Sequence, residues 1–138
     1  MLSAATALTG VALAMAGVAA PPYAGNLGTT TYQGFATFTD DYKPDFNVVA
    51  CPKSDHLPKL PKQFVTGLNR PQFGKGDKSP NCGVTIEVTG PKGKFKVLIV
   101  DVAEGPKSGD LNLDRAGFAK IAKVDDGRVK VSWKVAAP

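Results

Sequence analysis

Gly90-Pro91-Lys92-Gly93-Lys94-Phe95-Lys96-Val97-Leu98-Ile99-Val100-Asp101-Val102-Ala103 is the stretch from which the fold can be read. The Gly-Pro-Lys-Gly tetrad turns the chain, and Phe95 to Val102 follows as a strand. Because this strand is apolar on both faces from Val97 to Val100, it should run through the middle of a core and deliver Asp101 to its end. Before the turn, Val84, Ile86 and Val88 alternate with Thr85, Glu87 and Thr89, the period of a half-buried strand. After it, Asp114 is placed to cap a helix running to about Lys123, whose Phe118, Ile121 and Ala122 form one apolar stripe. Asp125-Asp126-Gly127 then reverses the chain into a last strand with Val129, Val131, Trp133 and Val135 on one face.

The succession GPKGKFKVLIVDVAEGPKSGDLNLDRAGFAKIAKVDDGRVKVSWKV resembles the first domain of bacterial expansins. More broadly it resembles the double-psi β-barrels of barwin, rare lipoprotein A and the loosenins. The likeness is close over residues 83–138 and weaker over Tyr32 to Cys51, where Tyr32-Gln33-Gly34-Phe35-Ala36-Thr37-Phe38-Thr39 resembles the opening strand of these barrels. From Pro52 to Pro80 the chain matches nothing in them. The resemblance implies an all-β fold, a six-stranded double-psi β-barrel with one or two short helices.

The chain has 138 residues, enough for one domain with a modest core. No charged side chain precedes Asp40, and the small apolar run from Leu2 to Ala20 reads as a secretory signal peptide over residues 1–20, with the single barrel domain over residues 21–138. The protein is therefore expected to be secreted. Two cysteines in an exported chain most often pair, here Cys51 with Cys82. A metal site lacks ligands, since His56 is the only histidine and no Cys-x-x-Cys spacing occurs; no cofactor is expected. The net charge of +5 comes mainly from lysines scattered among Gly and Pro, with only Arg70, Arg115 and Arg128 beside them. Without clustered arginines and stacking aromatics this argues against a nucleic-acid binder and for a basic surface that favours acidic partners, such as an acidic cell-wall polysaccharide.

In expansins the polysaccharide groove is thought to use a threonine of the opening strand, an aspartate ending the central strand, an aromatic shortly after it, and a second aspartate before the helix. By resemblance these positions are Thr37, Asp101, Ala103 and Asn112, so the aromatic and the second carboxyl are missing. An amide cannot exchange a proton near neutral pH, and hydrolysis is not expected. Asp110 and Asp114 flank Asn112; they read either as displaced carboxylates or, more simply, as a turn residue and a helix cap.

Between the cysteines, alternating Lys and Pro stiffen the chain up to Gln63-Phe64-Val65-Thr66-Gly67. This pentapeptide fits Gln-x-Val-x-Gly, a pattern resembling the first inhibitory loop of cystatins, which wedges into the cleft of papain-like cysteine proteases. The other reading is an ordinary strand entering a turn at Gly67. The ensemble is similar to papain inhibitors of actinobacteria built on the same barrel. The expected function is thus a non-catalytic, monomeric inhibitor of papain-like cysteine proteases, contacting its target through Gln63, Phe64, Val65, Thr66 and Gly67. The alternative is a non-hydrolytic, expansin-like binder of wall polysaccharide acting through Thr37, Asp101 and Asn112. Lys62 and Gln63 would also be open to crosslinking by a transglutaminase.

Overall fold

A computed structural model describes residues 22–137. The expected signal peptide over residues 1–20 lies outside them. Six strands close into a barrel: β1 (Tyr32–Thr39), β2 (Val65–Asn69), β3 (Thr85–Gly90), β4 (Gly93–Ala103), β5 (Leu111–Asp114) and β6 (Val129–Val135). Around the barrel they run in the order β1-β5-β2-β4-β3-β6. Pairs β1–β5 and β2–β4 are parallel and the other four are antiparallel. Two short helices, α1 (Arg70–Phe73) and α2 (Arg115–Ile121), and a 3-10 turn (Val124–Asp126) complete the described elements.

Local chemistry explains the strands read from the sequence. Gly90 pairs with Gly93 across the β3–β4 turn, and Val88 with Phe95 and Ile86 with Val97 follow in register. Val84, Ile86 and Val88 are fully buried, as are Ile99 and Val100 of β4. Trp133 is fully buried, its ring 4.6 Å from that of Tyr32 and its Nε1–H donating to the Gly109 carbonyl at 2.8 Å. Gly109 has φ +93°, and a Cβ there would strike the Gln33 carbonyl oxygen. Only glycine lets the loop before β5 lie this close on β1.

Residues 52–80, unlike anything in the resembled barrels by sequence, supply one of the six strands. Val65, Thr66, Gly67, Leu68 and Asn69 are all buried between β4 and β5. The turn expected at Gly67 is absent; the strand continues to Asn69, with a register shift against β4 between Thr66 and Gly67. Asn69 then caps α1, its Oδ1 accepting from Gln72 N–H at 2.9 Å. Cys51 and Cys82 are bonded. Cys51 N–H donates to the Val100 carbonyl and Gly83 N–H to the Ile99 carbonyl, so both ends of the inserted segment are fastened to the same point of β4.

Helix α2 is shorter than expected, and its entry corrects one assignment. Asp114 stands at the N-cap position but makes no side-chain cap bond. Its carboxylate instead accepts from Phe64 N–H (2.9 Å) and Val65 N–H (3.1 Å), fifty residues away in sequence. The physical reason is the start of β2: one backbone donor there is buried and the other half-buried, and a carboxylate satisfies both.

Candidate functional site: a polar row across four strands

Strand register brings the sequence-predicted groove residues into one line. Thr37 of β1 pairs with Asn112 of β5, Asn112 with Gly67 of β2, and Gly67 with Asp101 of β4. Partners in register share a face of the sheet, and four adjacent strands at about 4.8 Å spacing make a row roughly 14 Å long. The neighbouring positions Ala36, Leu111, Leu113 and Leu68 point the other way and are buried in the core. Gly67 has no side chain, so it forms a floor between Asn112 and Asp101. The segment from Asp41 to Val49 passes over the Asp101 end, leaving a cavity of about 120 Å³ lined by Thr39, Tyr42, Gly67, Asp101, Asn112 and Asp114 among others.

The hydrogen bonds along this row decide what it can offer a ligand. Thr37 Oγ1–H donates to Asn112 Oδ1 at 2.9 Å, and Asn112 Nδ2–H donates to Thr39 Oγ1 at 2.6 Å. Thr39 retains its own hydroxyl proton, and Thr37 retains a lone pair. Asp101 Oδ1 accepts from Ala50 N–H at 2.9 Å and Val102 N–H at 2.8 Å, so this carboxylate fixes the overlying segment just before Cys51. Its Oδ2 has no protein donor among the described residues. Asp110 is a turn residue, accepting from Phe35 N–H and Lys107 N–H, and Asp114 is engaged as described above. Neither is a displaced carboxylate beside Asn112. Ala103, where a ring was expected by resemblance, is buried and adds only a methyl near Gly67.

Tyr42 is the residue that the sequence reading missed. Its hydroxyl is buried without a hydrogen-bond partner among the described residues, and its ring lines the cavity. Burial, reinforced by the Asp101 and Asp114 carboxylates, pushes its pKa up from 10.0 to about 12. Since the folded value is raised, the native state holds a proton that the unfolded chain loses first. Stability linked to Tyr42 is thus complete below pH 10 and falls as the pH rises towards 12. An ultraviolet titration of the phenolate is expected to show a step near pH 12, and Tyr42→Phe should remove it. Absence of that step would contradict the placement of Tyr42.

The protease-contact segment is divided by the fold. Gln63 is exposed and Phe64 half-buried, whereas Val65 and Thr66 are 2% and 1% exposed and Gly67 is buried. The five residues therefore do not form a protruding loop. Phe64 has φ +62°, the only positive φ outside glycine among the described residues, because Asp114 holds its N–H while its carbonyl accepts from Leu98 N–H. Lys62 and Gln63 are both exposed at this corner. His56 is exposed and stacked on Tyr23, the rings 3.4 Å apart.

No family model matches the chain. Over 72 residues it is 33% identical to Expansin-YoaJ of Bacillus subtilis, a stretch covering 51% of this chain and 31% of that protein. The chain thus spans about a third of the length of this curated relative. Among solved structures, a point mutant of the Clavibacter michiganensis expansin, crystallised in complex with cellohexaose, superposes with a TM-score of 0.63 at 23% identity. That match covers 78% of this chain and 50% of the expansin. The Streptomyces papain inhibitor superposes with a TM-score of 0.59 at 22% identity, over 79% of this chain and 96% of the inhibitor. With its closed six-stranded topology, the protein has the double-psi β-barrel fold shared by these expansins and by the papain inhibitor.

Proposed function

We propose that this barrel is an exported, non-hydrolytic binding domain for a polysaccharide of the cell wall, and that the row Thr37–Asn112–Gly67–Asp101 is its groove. The observation that carries the reading is the mix of unspent hydrogen-bonding capacity beside a glycine floor. Thr39 offers a hydroxyl proton, while Asp101 Oδ2 and Thr37 Oγ1 offer lone pairs. Sugar hydroxyls both donate and accept, so such a ligand satisfies every one of these groups. The complex of the similar Clavibacter expansin with cellohexaose supports an extended glucan as the first ligand to test.

Hydrolysis is not part of the proposal. Glycoside cleavage requires two suitably placed carboxyl groups. Asn112 stands where the second was expected, both oxygens of Asp114 accept backbone N–H groups, and Asp41 is exposed on the overlying segment with no hydrogen bond fixing it. No soluble reducing sugar should appear on incubation with cellulose or xylan.

The direct test is a pull-down on insoluble wall polymers, with Gly67→Val as the blocking variant. A Cβ at Gly67 meets its nearest neighbours, in Val102 and Ala103, at an ordinary 3.5 Å, and the valine methyls beyond it would fill the groove floor. Retention on the polymer should fall about tenfold, a loss of 1.4 kcal/mol in binding, with thermal unfolding little changed. Equal retention of the folded variant would move the binding surface elsewhere.

A second reading, inhibition of papain-like proteases, is supported by the barrel fold of the Streptomyces papain inhibitor, which superposes with a TM-score of 0.59. In this reading the exposed corner Lys62–Gln63 beside Phe64 makes the contact, since Val65 to Gly67 are inside the barrel wall. Titration of papain with the intact protein and with Gln63→Glu tests it. Full papain activity at high micromolar protein removes this reading.

A further inference from the structure

The three arginines are not equivalent. Arg70 forms an ion pair with Glu104 at 2.6 Å, and Arg115 pairs with Asp40. Arg128 has no carboxylate within ion-pair distance among the described residues, although Asp125 and Asp126 precede it. Its guanidinium carbon lies 3.6 Å above the centre of the Phe35 ring. Stacking holds the guanidinium plane over the ring and leaves its N–H edge free, the arrangement in which arginine binds a carboxylate through two parallel hydrogen bonds.

This stacked pair forms one wall of a second cavity, of about 470 Å³, whose lining also includes Thr37, Lys107, Ser108 and Asp110. Thr37 is the first residue of the polar row, so the cavity continues the groove beyond β1. Its charge is biased. Lys107 and Arg128 line it, and Lys130, the register partner of Phe35, stands exposed beside them. The opposing carboxylate, Asp110, accepts from Phe35 N–H at 2.8 Å and Lys107 N–H at 3.1 Å. Two backbone donors thus spread its charge, and two cations, with Lys130 beside them, line the cavity with one engaged carboxylate.

We propose that this cavity is an acidic-sugar subsite: Arg128, presented by Phe35, binds the carboxylate of a uronic acid unit in a chain whose neighbouring sugars lie on the Thr37–Asp101 row. The proposal rests on the polysaccharide reading above and narrows it to carboxylated polymers. The sugar ring would lie towards Thr37 and Ser108, with Lys107 adding charge attraction from the far wall.

The experiment is affinity electrophoresis of the full chain through gels containing polygalacturonate, a neutral β-glucan, or polyphosphate, each at two salt concentrations. The expected result is retardation by polygalacturonate exceeding that by the neutral glucan, with the ratio falling about tenfold in Arg128→Gln. Arg128→Lys, which keeps the charge but not the planar fork, should recover only a small part of it. Retardation by neutral glucan without a preference for polygalacturonate, or an unchanged preference in folded Arg128→Gln, overturns the subsite while leaving the groove reading intact. Retardation by polyphosphate equal to that by polygalacturonate would also overturn it, since that result denotes general attraction of polyanions to a basic surface. Absence of retardation by every sugar polymer defeats both readings together.

Discussion

Replacing Cys51 and Cys82 together by alanine is expected to destabilise the protein by about 3–4 kcal/mol. The bond closes a loop with a sequence separation of 31 residues, and most of the effect is the chain freedom that the unfolded state regains. The folded state loses more than usual here, because the loop contains β2, a strand lying between β4 and β5. Without the bond, the ends are fastened to β4 only by hydrogen bonds, those of Cys51, Gly83 and Val84 with its backbone and that of Ala50 with Asp101. Both half-cystines are also buried, so alanine leaves unfilled space in the core. Urea unfolding of the double variant should show the midpoint lowered by most of a small domain's margin. A loss below about 1 kcal/mol would mean that β2 is held by its sheet partners alone.

Asp114→Ala should cost about 3 kcal/mol, by a different route. Asp114 is 5% exposed and satisfies the Phe64 and Val65 amides; alanine leaves both donors without a partner where β2 begins. Each buried unsatisfied donor costs about 1–3 kcal/mol, and Phe64, held at φ +62°, loses the bond that keeps it there. Asp114→Asn retains the shape and one acceptor, so about half the loss should return. If Asp114 were only a helix cap, alanine would cost about 1 kcal/mol and hydrogen exchange at Val65 would not change. Accelerated exchange at Phe64 and Val65 in Asp114→Ala is the expected signature.

The position of Asp114 and the bonds its carboxylate makes show where sequence reasoning stops. A cap is a local pattern, aspartate followed by an apolar stripe, and that pattern is present; the groups that bind the carboxylate lie fifty positions away and leave no local trace. Strand β2 was hidden for a related reason. Covered on both sides, it shows no alternation, and Val-Thr-Gly-Leu-Asn mixes residue types that elsewhere make turns. The Gln-x-Val-x-Gly pattern at its start drew the same residues towards an exposed loop. The consequence is practical: Val65→Asp would place a carboxylate in the core and report on folding rather than on protease binding.

By contrast, β3, β4 and β6 were legible because each carries a period of two or a central apolar run, and the β3–β4 turn bears its own Gly-Pro-Lys-Gly signal. Thr37, Asp101 and Asn112 were legible only through resemblance, since nothing in their spacing brings β1, β4 and β5 together. Register adds Gly67, which unites the three into one row. Tyr42 and the Arg128–Phe35 stack had no signal at all: both depend on loops packing against strands distant in sequence.

The groove itself is most directly tested by amide chemical shifts of the isotopically labelled protein during titration with cellohexaose. The account predicts progressive shifts at Thr37, Gly67, Asp101 and Asn112, with Thr39 and Tyr42 following and the opposite side of the barrel around Glu87 and Lys134 unaffected. Shifts confined to the Lys62–Gln63 corner, or none at millimolar oligosaccharide, would contradict it.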